Sequence, residues 1–459
     1  MTDAVAAPPE AAPVATAPAV TATGIEPVSP GYRSYALGLL LVIYTLNFLD
    51  RQVVNILAEP IKRDLGLMDW QLGMMTGLAF AIFYTVLGIP IARKAESSSR
   101  PTIIAISVAV WSGFTMLCGL TQNFWQLLLA RIGVGVGEAG CSPTAHSLIT
   151  DYVPRSMRAS SIAFYSIGTP LGSLIGMAMG GIVADAYGWR AAFLVAGAPG
   201  VIVALVAAFT LVEPRKKLSA ELKARAAAAQ PTLGAAMKVL RSKKTFWLVA
   251  FAAAIKAFIG YGHAPFTASF FFRNHTDQIA ALAADYGLKS AGFLGLALGL
   301  ISGTTGVVGA WLGGYIADKL GAKDIRAYVI VPAIASVITI PIYITAISLG
   351  DARHALLLLA IPTLLGTLWY GPVYATAQSI VAPQMRATTA AVILFIINLI
   401  GLGLGPVAVG VLSDFFAGPM GMGEAEGVRW ALIVSTMFGL VAAWLFYRAA
   451  KTIKEDMVS

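Results

Sequence analysis

Two pairs of charged residues stand where charge is costly. Asp50 and Arg51 sit side by side in the stretch Asn47 to Asn55, directly after the run Leu39-Leu40-Leu41-Val42-Ile43-Tyr44. Arg131 and Glu138 interrupt a second apolar stretch, Ala130 to Ala139. A charged side chain at the centre of a membrane helix costs at least ~2.5 kcal/mol, and it persists where it faces a partner or a water-filled cavity. An opposite charge favours an ionised carboxylate, whereas burial favours the protonated acid. A carboxylate that exchanges an arginine for apolar surroundings therefore takes up a proton. Arg131 and Glu138 are two helical turns apart, so they share a face but cannot reach each other. Each is free for another helix, and the expected pairings are Asp50 with Arg131 or Arg51 with Glu138. The competing reading is a permanent salt-bridge network that only holds helices together.

The elements around these charges must be membrane helices. The chain has 459 residues, 58% hydrophobic and 12% charged, against about 25% charged in soluble domains. Mean hydropathy is +0.77. The pattern predicts an all-α polytopic membrane protein with 12 transmembrane helices, over 34–58, 70–92, 101–120, 124–150, 158–186, 189–212, 245–272, 292–317, 325–349, 354–380, 386–415 and 428–449. Asp69 reads as the N-cap of the second. Residues 1–33 read as a disordered cytoplasmic tail without the basic and apolar regions of a signal peptide, and 450–459 as a second tail. Cys118 and Cys141 lie in apolar segments and read as core residues, not a disulfide. A net charge of +9 belongs in such a chain to loop residues, not to nucleic-acid binding. With the N-terminus inside, 22 of the 32 basic residues fall on the cytoplasmic side and 7 on the other, which places both termini in the cytoplasm.

An internal repeat divides the spans into two six-helix bundles, 34–212 and 245–449. Val153-Pro154-Arg155-Ser156-Met157-Arg158 before helix five matches Ala382-Pro383-Gln384-Met385-Arg386 before helix eleven, and Gly188-Trp189-Arg190 at helix six matches Gly427-Val428-Arg429 at helix twelve. The linker, 213–244, contains Leu218 to Ala229, a good helix former expected at the membrane surface. Two parallel halves around a midplane site is the plan of an alternating-access transporter.

On these residues the chain resembles the major facilitator superfamily over nearly its whole length. Through Asn47 to Asn55, Glu59-Pro60-Ile61-Lys62-Arg63-Asp64-Leu65, Ala130 to Ala139 and Gly188 to Phe193 it looks like the spinster branch. The resemblance implies transport of amphipathic lipids of the sphingolipid and lysophospholipid class, with proton coupling in bacterial members. It also identifies Gly313 to Lys323 as a gating loop, with Asp318 as its acid, Arg158 as the natural partner and Arg386 as the repeat equivalent. The matching loop of the first half, Gly88 to Lys94, has Ala92 where the family's acid would be. Half of the cytoplasmic latch is therefore expected to be missing, and that gate to open readily.

Other candidates are weaker alone. Lys256 is either an anion ligand or a snorkelling side chain. His263, beside Pro265, reads as a helix-break residue, and His146 lies beyond Pro143. Substrate-binding candidates are Tyr84, Tyr165, Tyr261, Trp369, Tyr370 and Tyr374, with Phe80 and Phe258 nearby; Gly371 and Pro372 are expected to bend helix ten. Gly133, Gly135 and Gly137, and Gly168, Gly172 and Gly176, read as close-packing positions. Four scattered histidines supply no metal cluster or nucleophile–base pair, so the chain reads as no enzyme and needs no cofactor. The expectation is a monomeric, proton-coupled inner-membrane carrier of a lipid-like substrate. The alternative is a carrier of a small organic anion held by Arg131 and Lys256.

Overall fold

The computed structural model describes residues 28–215, 233–382 and 385–457, and all regular structure among them is helical. Twelve segments carry the fold. The first half comprises α1 (Pro30–Leu65), α2 (69–97), α3 (Arg100–Cys118), α4 (Phe124–Glu138 and Cys141–Tyr152), α5 (158–187) and α6 (189–210). The second comprises α7 (Lys244–Asn274), α8 (Ser290–Gly321), α9 (Ala327–Ser348), α10 (Ala352–Ser379), α11 (386–417) and α12 (Gly423–Asp456). Among the described residues, ten continuous stretches are long and apolar enough to cross a membrane. One of these is α5 and α6 joined across Gly188, whose φ of 84° needs a glycine. The interrupted α4 falls short of the required length.

Several boundaries differ from the sequence reading for identifiable reasons. Ser29 caps α1, with Tyr32 N donating to its Oγ at 3.3 Å, so helix begins inside the expected tail; residues 1–27 lie outside the described residues. α1 also runs through Pro60 and stops at Gly66, which adopts φ 62°. Met68, not Asp69, precedes α2, which leaves the Asp69 side chain for other work. α12 extends to Asp456, so most of the expected second tail is helical. Leu218 to Ala229 lies outside the described residues; the helix found in the linker region is Leu233–Ser242. A further short helix, Thr276–Asp285, fills the connection before α8.

Three helices widen into a π turn, Met74–Leu78 in α2, Ile301–Thr305 in α8 and Ile397–Leu404 in α11. Such turns recur at functional sites. α10 breaks at Leu368 and Trp369, just before Pro372, whose ring and missing N–H disturb the turn preceding it. The glycine runs pack helices tightly. A Cβ on Gly135 would meet the Phe80 carbonyl of α2 at 2.7 Å, and one on Gly137 would meet the Trp111 amide of α3 at 2.5 Å. Gly168, Gly172 and Gly176 lie against Tyr44, Thr45 and Leu49 of α1 in the same way.

The two ends of the molecule are tied differently. At the end bearing both termini, strong pairings run within each half. Arg100 holds Glu213 at 2.5 Å and Asp151 at 2.7 Å, and Arg215 holds Asp151 at 2.6 Å. Burial pushes the Glu213 carboxyl up, but its hydrogen bonds to Arg100 bring it below the ordinary value. In the second half Thr245 N donates to Asp456 Oδ2 at 2.7 Å, and Lys454 lies 3.4 Å from Asp324. At the far end, beside Arg190 with Asp64 at 2.5 Å within the first half, pairings also cross between the halves. Arg273 of α7 lies 2.7 Å from both Glu59 of α1 and Asp69 of α2. Lys62 lies 3.0 Å from Asp69 and from Glu424, and Ser413 donates to Asp69 at 2.6 Å. The molecule is thus closed at the far end.

The glycine packing yields a stability prediction. Gly172→Val places methyl groups into the α1 backbone. It should destabilise the protein by about 1–3 kcal/mol, read as a lower melting temperature in detergent, whereas Gly38→Val, with nothing within 4 Å, should not.

Candidate functional site

The charged quartet lies inside the first half, with Asp50, Arg131 and Glu138 each at most 1% exposed. One of the two expected pairings forms. Arg51 Nη2 lies 2.6 Å from Glu138 Oε2, and its Nε donates to the same oxygen at 2.7 Å. The Arg51 guanidinium also stacks near three rings, 4.7 Å from Phe80, 4.7 Å from Tyr84 and 5.2 Å from Phe48. Arg131 approaches the same Phe80 ring at 5.6 Å. One aromatic ring therefore serves both cations, which is favourable on the negative face of its quadrupole.

Asp50 and Arg131 form no ion pair. Thr115 of α3 donates to Asp50 Oδ2 at 3.0 Å, and Oδ1 has no partner among the described residues. Arg131 Nε donates to the Met75 carbonyl at 3.4 Å, and Nη1 has no partner. Glu138 Oε1 is likewise unpartnered. The quartet is neutral as a set but only half of it is paired.

These residues adjoin a central cavity of about 50 Å³ between the halves. α1 contributes Phe48, Arg51, Gln52 and Asn55; α2 contributes Thr76 and Phe80; α4 contributes Arg131. From the second half come Tyr261, Ala264 and Pro265 of α7 and Leu402 and Pro406 of α11. The lining has a polar wall with two guanidiniums and an apolar wall opposite. Tyr261 is the tyrosine that lines it, and the Tyr84 ring lies 4.7 Å from the Arg51 guanidinium in its wall. Tyr370 is 38% exposed and stacks on Trp369 at 4.0 Å.

Other expected residues lie elsewhere. Tyr165 is fully buried, stacked on Tyr44 at 4.3 Å and edge-on to His146. Trp369 is 2% exposed and belongs to the second half's core. Lys256 is buried without a partner among the described residues and does not line the cavity. His263 bonds Ser435 at 2.9 Å and stacks on Tyr343; α7 runs through it unbroken, because Pro265 is accommodated inside the helix. The expected Asp318–Arg158 contact is not made. Asp318 accepts from Tyr328 at 2.6 Å, Arg158 donates to the Thr150 carbonyl at 3.1 Å and Arg386 to the Gln378 carbonyl at 3.2 Å, each within its own half. Sequence alone gives Asp69 as an N-cap, Glu59 and Lys62 as part of the family resemblance and Arg273 as a loop base; the structure joins the four.

Comparison with known proteins agrees with this architecture. The Major Facilitator Superfamily model matches residues 40–406. An MFS-type efflux pump of Mycolicibacterium smegmatis is 33% identical over 424 residues, covering 92% of this chain and 94% of that protein. Protein spinster homolog 1 of Homo sapiens is 26% identical, covering 94% of this chain and 83% of that protein. The crystal structure of a bacterial homolog to the human lysosomal transporter Spinster, inward-facing and unoccupied, matches with a TM-score of 0.83 at 32% identity, covering 94% of this chain and 100% of that one.

The half-paired quartet predicts a rescue. Glu138→Gln leaves the Arg51 cation buried without its anion and should cost about 3–5 kcal/mol. Adding Arg51→Met to Glu138→Gln should recover much of that loss, measured as melting temperature of the purified single and double variants.

Proposed function

The chain belongs to the Major Facilitator Superfamily, among its spinster-like members, and from that premise we propose that this multi-pass transporter is a proton-coupled carrier of an amphipathic, lipid-like substrate. It is a transporter, not an enzyme. The observation that carries the proton reading is Asp50, 1% exposed, with a threonine but no cation in contact and one oxygen unpartnered. An isolated buried carboxylate is costly as an anion, and a proton on Asp50 removes the charge. When the proton leaves, Arg131, whose Nη1 has no partner among the described residues, is the cation for it to engage. Movement of α1 against α4 then accompanies each proton step, with Arg51 and Glu138 as the second pair of the exchange.

The cavity supports this substrate class. Its guanidinium wall suits an anionic or zwitterionic headgroup, and its apolar wall and the adjoining tyrosines suit a hydrocarbon portion. The name of one relative, an MFS-type efflux pump, agrees with export. In this reading the protein sits in the cell's inner membrane as a monomer with both termini cytoplasmic, and the described state opens to the cytoplasm. The two arginines also favour a second reading, a small organic anion. Lys256 has no part in it, since it lies away from the cavity.

Reconstituted proteoliposomes with an imposed pH gradient test both. Asp50→Asn should abolish gradient-driven transport of a labelled lysophospholipid while leaving counterflow exchange, and Glu138→Gln should reduce it at least tenfold. Unchanged gradient-driven transport in both variants would remove the proton reading. Transport of a small dicarboxylate in place of the lysophospholipid would favour the organic anion.

A further inference from the structure

The far-end seal contains a duplicated device. Asp414, near the end of α11, accepts from Asp69 N at 3.0 Å and Trp70 N at 2.8 Å, the first amides of α2. Asp185, near the end of α5, accepts from Ala291 N at 3.3 Å and Gly292 N at 2.6 Å, the second and third amides of α8. The first four N–H groups of any helix lack intrahelical partners. The residues that precede α2 and α8, Met68 and Lys289, supply no side-chain cap to these amides, and Gln71 accepts from Met68 N, outside α2, at 2.8 Å. The other half supplies the cap instead.

The two arrangements are related by the internal repeat. Each acid stands four residues after a glycine, in Gly181-Ile182-Val183-Ala184-Asp185 and Gly410-Val411-Leu412-Ser413-Asp414. Each glycine lies against the start of the helix its acid caps: Gly181 against the Ala291 carbonyl and Gly410 against the Asp69 carbonyl, with no room for a Cβ. Glycines on the capped helices answer them, Gly73 against Pro406 and Gly295 against Met177. The glycine sets how close the backbones come, and the acid four residues on then meets the amides.

We propose that Asp185 and Asp414 are the gating residues of the far end, as a reciprocal pair of helix caps exchanged between the halves. Both caps exist only while the far end is closed. Opening it uncovers the first-turn amides of α2 and of α8 together and frees both acids, so the two seams, α2 against α11 and α5 against α8, release as one event. Lys62, Arg273, Glu59 and Glu424 add ion pairs to the α2 seam, whereas Lys289 donates to the Asp185 carbonyl at the other. The device is independent of which substrate is carried and of whether protons drive it.

Spin-label distances on the full chain in nanodiscs test this. Cys118 and Cys141 are buried, and exposed label sites flank each seam. Tyr187 and Tyr286 serve the α5–α8 seam, Trp125 and Met420 the α2–α11 seam, and Met157 and Leu320 the opposite end. Asp185→Ala and Asp414→Ala should each raise the ratio of far-open to far-closed molecules by roughly three- to thirtyfold. Each should lengthen the distances at both seams and shorten the Met157–Leu320 distance. Asp185→Asn and Asp414→Asn, whose amide oxygens still accept, should stay close to the parent. Unchanged distributions in the alanine variants overturn the proposal, as does opening confined to the seam that was altered. Equal broadening of all three distances in alanine and asparagine variants alike, the signature of a generally weakened fold, overturns it too.

Discussion

An arginine and a glutamate inside a hydrocarbon layer are each costly alone, and the 2.6 Å between Arg51 and Glu138 is what allows both to stay charged there. Much of the first half is arranged around that contact. Gly135 brings α2 close enough for Phe80 to lie beside the guanidinium, and Gly137 brings in α3. α3 in turn carries Thr115 to Asp50. Removing either charge leaves its partner buried and unmatched, whereas removing both leaves an apolar interior. The pair therefore constrains α1, α2 and α4 together, and the unpaired Asp50 and Arg131 are held in the same framework with room to change partners.

Much of this was legible in the sequence because membranes impose simple rules. Long apolar runs must be helices, since no other open structure satisfies its backbone in lipid. Charges in those runs had to be functional or paired, which singled out Asp50, Arg51, Arg131 and Glu138. The repeat at Gly188 and Gly427 marked two halves. Glycines spaced along α4 and α5 indicated close approach, and they make it. Pairing was less legible. Arg131 and Glu138 were equally plausible partners for α1 by spacing, and only helix rotation decides that Arg51 takes Glu138. Tyr165 and Trp369 read as cavity residues because composition cannot separate a ring that lines a cavity from one packed in a core. Asp318 and Arg158 each bond within their own half instead, which spacing along the chain does not reveal.

The asymmetry between the two ends follows from that last point. At the end bearing the termini, Arg100, Asp151, Glu213 and Arg215 knit the first half to itself, and Asp456 does the same for the second. These polar groups are satisfied whether or not the halves meet. At the far end, Asp69 shares Arg273, Lys62 and Ser413, and its neighbours' amides need Asp414. One end is self-sufficient and the other is mutual. A carrier built this way is held at its far end by contacts that the two halves share, whereas Ala92, where the family resemblance places an acid, lies inside α2.

The cap on α2 also bears on how the chain is made. Asp414 lies 345 residues beyond the amide of Asp69. During synthesis α2 must enter the membrane long before the acid that completes its first turn exists. Until α11 arrives, those amides have only water or lipid headgroups as partners, at the one depth where both are present. The second helix of the second half meets no such delay, because Asp185 is already in place when α8 emerges. The first half is thus inserted with an unfinished edge, and the last helices to be made finish it.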